Sequence, residues 1–180
     1  MDAVLEKKLC EMLDRQEIWQ VLQRFARGVD RMDRELLRSC YFADAIEDHS
    51  MFVGSVQDFC VWVDQVSLMY EWTHHGLQTH NCDLHGDEAY CETYFQFTGK
   101  NAKASHFLAK GRYIDHFQRR NGEWRIANRV TLVEGHFALG DSDVPMNLPC
   151  KYSDDEPRPS TRDRNDTSYQ RPLSPRRPKQ

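Results

Sequence analysis

The 180-residue chain has no apolar run near the length of a membrane span, no basic excess, no C-x-x-C pair and no H-E-x-x-H motif. Each absence excludes something. A spanning helix needs about 20 consecutive apolar residues, so membrane insertion is not expected. The opening stretch MDAVLEKKLCEMLDRQ is charged and helical in character and does not read as a signal peptide. A net charge of −4 and a pI of about 6.1 supply no positive field for nucleic acid. The six cysteines (10, 40, 60, 82, 91 and 150) have the spacing of neither a zinc framework nor a disulfide scaffold. Reduced, mostly buried thiols in a cytoplasmic protein are the expectation. No internal repeat is visible. The apolar fraction of 39% is modest because the last thirty residues contain almost nothing apolar; the rest can still bury a core.

What is present reads as helices followed by strands. From Asp14, apolar residues fall at Ile18, Val21, Leu22, Phe25 and Val29, the spacing of a helix with one buried face. Asp14 suits its N-cap, with Glu17 as capping-box partner. A short helix is expected near 34–41, then an extended segment ending at Gly54. A third helix follows, capped by Ser55, with Phe59, Val63, Val66 and Met69 or Tyr70 turned inward. After Tyr70 the period becomes alternating. Strands are expected at about 76–85, 88–98, 105–119 and 123–136, the first pair joined by HGDE and the last by RRNGE. Gly-Asp and Asn-Gly both suit tight hairpins. Helices first and an antiparallel meander after them predict an α+β fold, with the helices on one face of a curved sheet. Residues 1–148 read as one domain. From Pro149 the chain turns rich in Pro, Arg, Asp and Ser, and residues 149–180 read as a disordered tail with too little apolar area to offset ordering entropy.

Chemistry is suggested by EWTHHGLQTHNCDLHGDEAY, which sets His74, His75, His80 and His85 within twelve positions. On a regular strand 74 and 80 share one face and 75 takes the other. Three ligands do not converge from that arrangement without a bulge, so no metal set is expected. Asp30 lies at the edge of the first helix's apolar stripe. An aspartate there either caps structure or faces a cavity, and paired with a histidine it would make a general-base arrangement. Tyr41 reads as a phenol donor to substrate or as a core tyrosine. Asp48 and His49 form a second adjacent acid–histidine pair, lining a pocket mouth or bonding a loop. Arg112 and Arg129 hold an anionic group or sit in surface ion pairs. Trp19, Trp62, Trp72, Trp124, Phe95 and Phe97 suggest an aromatic-lined cavity.

The succession RFARGVDRMD, CYFADAIEDHSMFVG, THHGLQTHNCDLHGDEAYCETY and GRYIDHFQRRNGEWRIANRV resembles the SnoaL-like branch of the nuclear transport factor 2-like superfamily, over about residues 10–137. The resemblance implies a cone, in which a strongly bent sheet is closed by helices around a deep apolar pocket. The branch is similar to scytalone dehydratase and hexachlorocyclohexane dehydrochlorinase, which use an Asp–His dyad and neither metal nor organic cofactor. Carried onto this chain, GVDR places the aspartate at Asp30 and the base at His75. Thr79 stands where an asparagine is common, and the dehydrochlorinase's active-site arginine falls near Ala127, leaving Arg125 or Arg129 to substitute. The implied activity is a cofactor-independent lyase acting on a small apolar, aromatic or alicyclic molecule, with loss of water, halide or formaldehyde. The alternatives are an isomerase or cyclase, or a non-catalytic binding or subunit protein. The resemblance also implies a homodimer or homotrimer.

Overall fold

A computed structural model describes residues 2–101, 106–140 and 160–173. Helix α1 spans Ala3–Asp30, α2 Arg34–Ser39 and α3 Val56–Ser67. The strands are β1 (Tyr41–Asp48), β2 (Val53–Ser55), β3 (Tyr70–His85), β4 (Glu88–Asn101), β5 (His106–Arg120) and β6 (Glu123–Leu139). They form a curved six-stranded sheet in the order β2-β1-β6-β5-β4-β3. The expected meander β3–β6 is present and antiparallel. The sheet as a whole is mixed, because β1 joins β6 in parallel.

The five apolar positions expected on the first helix are all buried in α1. They meet Phe59, Cys60 and Val63 of α3 and the inner face of the sheet in one core. The helix nevertheless starts eleven residues before Asp14, where the Asp2 side chain accepts from the Val4 amide. Its first turns are good helix formers with no buried face; Val4, Leu5, Met12 and Leu13 are exposed. Asp14 caps nothing. It accepts from Trp124 Nε1 at 2.9 Å and Arg119 Nη1 at 2.7 Å, tying α1 to the β5–β6 hairpin. Ser55 does cap α3, bonding the Asp58 amide. That helix stops at Ser67, so Tyr70 opens β3 and Met69 is exposed.

Both hairpins form at the expected dipeptides. Asn121 and Gly122 each adopt positive φ (54° and 82°), as a type I′ turn requires. Gly86, at φ 67°, begins the two-residue β3–β4 loop.

One departure reorders the site. Between Leu77 and His80, β3 spends three residues against two on β4, where Leu77 faces Phe95 and His80 faces Thr93. A bulge of this kind reverses the alternation beyond it. His75 and His80 therefore share the inner face, and His74 is exposed.

Part of the stretch expected as a tail is also packed. Residues 160–173 lie against α1, α2 and the start of β3. Arg162 donates to the carbonyls of Ser67 (2.6 Å) and Tyr70 (2.9 Å), Arg31 pairs with Asp166, and the Tyr169 hydroxyl donates to Asp33. Counting apolar area misses a segment held by charged hydrogen bonds. The rest of that expected tail, 149–159 and 174–180, lies outside the described residues.

Candidate active site

A cavity of about 160 Å³ opens between α1, α3 and the inner face of the sheet. Phe25 and Val29 line it from α1, Phe59, Trp62, Val63 and Val66 from α3, and Phe95, Phe97 and Tyr113 from β4 and β5. Among its few polar linings are Thr73, His75 and His49. An apolar cavity of about 150 Å³ accommodates a benzene-sized molecule, so a single ring fits.

The structure brings Asp30 and His75 together on the cavity wall. Asp30 ends α1 one turn after buried Ala26, at the edge of the apolar stripe; it is 6% exposed. Its Oδ1 lies 2.6 Å from His75 Nδ1 and accepts from the Thr73 hydroxyl at 3.0 Å. Its Oδ2 accepts the His75 backbone N–H at 2.8 Å. Two residues of β3, Thr73 and His75, are thus locked to one carboxylate. Burial pushes the Asp30 carboxyl up, but the charge of His75 and the hydrogen bonds from His75 and Thr73 outweigh it and hold the group below the usual carboxylate range. The Nδ1 contact fixes the imidazole's orientation and leaves Nε2 as the nitrogen available to a bound molecule. The ring is wedged edge-on against Phe97, 4.9 Å between centroids.

His49, also in the lining, packs at a tilt against Phe59 and Trp62, 5.4 and 5.3 Å between ring centroids. Its acid partner is Glu47, at 2.9 Å from Nδ1, and not the expected Asp48. Strand alternation explains this: Tyr41, Ala45 and Glu47 of β1 are buried, whereas Asp48 turns away from them. Tyr41 does not reach the cavity. Its hydroxyl donates to Glu47 at 2.7 Å, and burial raises its pKa well above 10 against the opposing charge of Arg129. Arg129 is fully buried in a bidentate pair with Asp115 at 2.6 and 2.9 Å. Its guanidinium lies 4.1 Å from the Phe25 ring and 4.2 Å from that of Tyr113, behind the cavity lining. Asp115, Arg129, Tyr41 and Glu47 form a buried chain ending at His49.

Two expected site residues are elsewhere. Arg112 sits on the outer face of the sheet, paired with Glu92 and Glu134 at 2.6 Å each. Thr79 is exposed in the β3 bulge. Glu47 was missed, although its place two residues before His49 on a strand was a usable signal. Beyond the bulge, His80, Cys82 and Cys91 lie together with donor atoms within 4.8 Å of one another. The group holds one of the four histidines with two cysteines, and the β3 bulge, which the regular strand assumed for 74–85 lacks, brings His80 to their face.

The family model of the SnoaL-like domain matches residues 11–130. The chain belongs to the SnoaL-like family. The fold places it in the wider nuclear transport factor 2-like group. Among solved structures it is similar to a hexachlorocyclohexane dehydrochlorinase of type 2, with TM-score 0.71 and 18% identity over 78% of this chain and 99% of that one. It is similar to a type 3 dehydrochlorinase from Novosphingobium barchaimii, with TM-score 0.70 and 17% identity over 77% and 99%. A candidate scytalone dehydratase from Novosphingobium aromaticivorans gives TM-score 0.67 and 13% identity over 73% and 91%. At these identities the likeness is one of fold. Among curated proteins no sequence match is found.

Proposed function

We propose that this SnoaL-like protein is a cofactor-independent lyase for a small apolar molecule built around one ring. The observation that carries the reading is the 2.6 Å contact between His75 and Asp30 on the wall of an aromatic-lined cavity. His75 Nε2 takes a proton from the substrate, and Asp30 stabilises the imidazolium and holds the ring in register. In an elimination the electrons of the broken C–H bond form the new double bond, and the leaving group departs from the adjacent carbon. Halide leaves as the anion. Water leaves with a proton, which His49, supported by Glu47, is placed to give. If the proton comes from a hydroxymethyl oxygen instead, its C–O becomes the C=O of formaldehyde, the electrons of the broken C–C bond form the new double bond, and the hydroxyl on the neighbouring carbon leaves as water. The few polar groups of the lining leave the choice of bond to cavity shape.

An isomerase is the second reading, and a specific observation favours it: two carboxylate-backed histidines line one cavity, one to remove a proton at one carbon and the other to return it at another. Among the described residues, Cys10, Cys40, Cys60, Cys82 and Cys91 are free thiols. Among the described residues no helix is long and apolar enough to cross a membrane.

Screening the purified protein against single-ring diols, alcohols and halides, following the ultraviolet absorbance of conjugated products, tests the proposal. Turnover of at least one class is expected. Binding of these compounds with no turnover in any class would favour the non-catalytic reading.

A further inference from the structure

The group His80, Cys82 and Cys91 plays no part in the proposed reaction. It lies about 15 Å further along β3 than His75, taking about 3.3 Å per residue. Cys82 and Cys91 are direct partners across the β3–β4 ladder, and His80 opposes Thr93 one step before them. The bulge is what turns His80 and Cys82 to the face that Cys91 occupies. Cys91 is 3% exposed, while His80 and Cys82 are half-buried and leave a route from solvent.

The His80 ring gives the second observation. Its Nδ1 lies 2.9 Å from the Thr93 hydroxyl, and its Nε2 is buried with no hydrogen-bond partner. With the proton on Nδ1, donated to Thr93, Nε2 is a bare lone pair in the interior. With the proton on Nε2, a buried donor goes unsatisfied, at a cost of about 1–3 kcal/mol. A histidine whose far nitrogen is fixed by a hydroxyl, with its other nitrogen uncommitted beside two thiols, has the usual arrangement of a metal-binding imidazole.

We propose that His80, Cys82 and Cys91 form a binding site for a thiophilic divalent cation, zinc foremost. Two thiolates and an imidazole are soft-to-borderline donors, which exclude calcium and magnesium. Zinc takes sulfur at about 2.3 Å and imidazole nitrogen at about 2.0–2.1 Å, so tetrahedral donors lie roughly 3.5–3.8 Å apart. From a present spread within 4.8 Å, side-chain rotation of about 1 Å closes the set. The fourth position falls to water, because Asp115, opposite Cys91, is committed to Arg129. Binding releases the thiol protons to solvent, and two thiolates neutralise the ion. Trp19 of α1, 5.2 Å from the His80 ring, covers the group. The ion would pin the lower β3–β4 hairpin in its bulged register.

The test uses the full chain, kept reduced with a phosphine and stripped with a chelator, then titrated with Co²⁺ and back-titrated with Zn²⁺. One Co²⁺ per chain is expected, with a thiolate-to-cobalt charge-transfer band that one equivalent of Zn²⁺ removes. Cys82→Ser and His80→Ala should weaken binding about 100-fold or more, whereas His74→Ala and Cys10→Ser should titrate as the unaltered chain does. If the site variants fail to fold, Zn²⁺ protection from alkylation, read by mass spectrometry on the unaltered chain, replaces them: Cys82 should be protected and Cys10 not. Absence of the charge-transfer band, or a band that survives Cys82→Ser, or alkylation of Cys82 unaffected by Zn²⁺, overturns the proposal. None of these readouts depends on turnover.

Discussion

Asp30 concentrates the logic of the site in one side chain. It accepts three hydrogen bonds, two from His75 and one from Thr73, and its pKa is lowered. The sign of the linkage follows. A carboxyl whose folded pKa lies below its ordinary value of 3.8 contributes stability that is present above 3.8 and lost as pH falls through the folded value. Chemical denaturation of the unaltered chain and of Asp30→Asn between pH 2 and 6 should show a stability gap that is steady above about pH 4 and narrows below it. A gap that widens on acidification would contradict this assignment. The Asp30–His75 pairing was reached through the family resemblance of GVDR and of the histidine-bearing strand; spacing alone put Asp30 only at the edge of the α1 stripe and His75 on one face of a strand. Glu47 was within reach of the same reasoning. Arg129 was not: its burial against Asp115 depends on the register of β5 with β6, which a single strand's pattern does not reveal.

At the scale of elements, composition and periodicity identified α3, the four long strands and both hairpins, because each carries its own local signal: Ser55 at a cap, Gly86 and Asn121-Gly122 at turns. Two elements escaped. The first half of α1 buries no face, so it has propensity but no period. The segment 160–173 is anchored by Arg162, which reaches the carbonyls of Ser67 and Tyr70 and, at 3.3 Å, the Thr73 hydroxyl that supports Asp30. A cation at the C-terminal carbonyls of α3 is also favoured by the helix dipole. Charged hydrogen bonds contribute about 1.5–3 kcal/mol each before ordering costs. Truncation after residue 159 should therefore lower stability by about 1–3 kcal/mol, roughly 3–10 °C in melting temperature for a chain of this size, and Arg162→Ala should reproduce much of the loss. An unchanged melting curve would mean that the segment does not dock in solution.

The whole molecule is a sheet with one covered face. Its inner face closes on α1 and α3, and its outer face carries Tyr94, Ile114, Val130 and Leu132, each more than a third exposed, on adjoining strands. Antiparallel sheets tolerate one solvated face when it is polar; an apolar stripe of this kind suits a second copy of the chain. A homodimer or homotrimer is expected by light scattering at micromolar concentration, with Ile114→Lys shifting the population toward monomer. A monomeric unaltered chain under those conditions would contradict the expectation.

The central claim, that His75 is the base and Asp30 its support, is tested most directly by comparing turnover of one accepted substrate by the unaltered chain, His75→Ala, Asp30→Asn and His74→Ala, with folding checked by circular dichroism. His75→Ala should lose nearly all turnover. Asp30→Asn, which keeps the shape and removes the charge, should fall by about 10³–10⁴-fold, in line with carboxylate loss in comparable dyads. His74→Ala, altered on the exposed face of β3, should be close to unaltered. Near-full turnover by a folded His75→Ala would contradict the account and move the chemistry to His49 and Glu47.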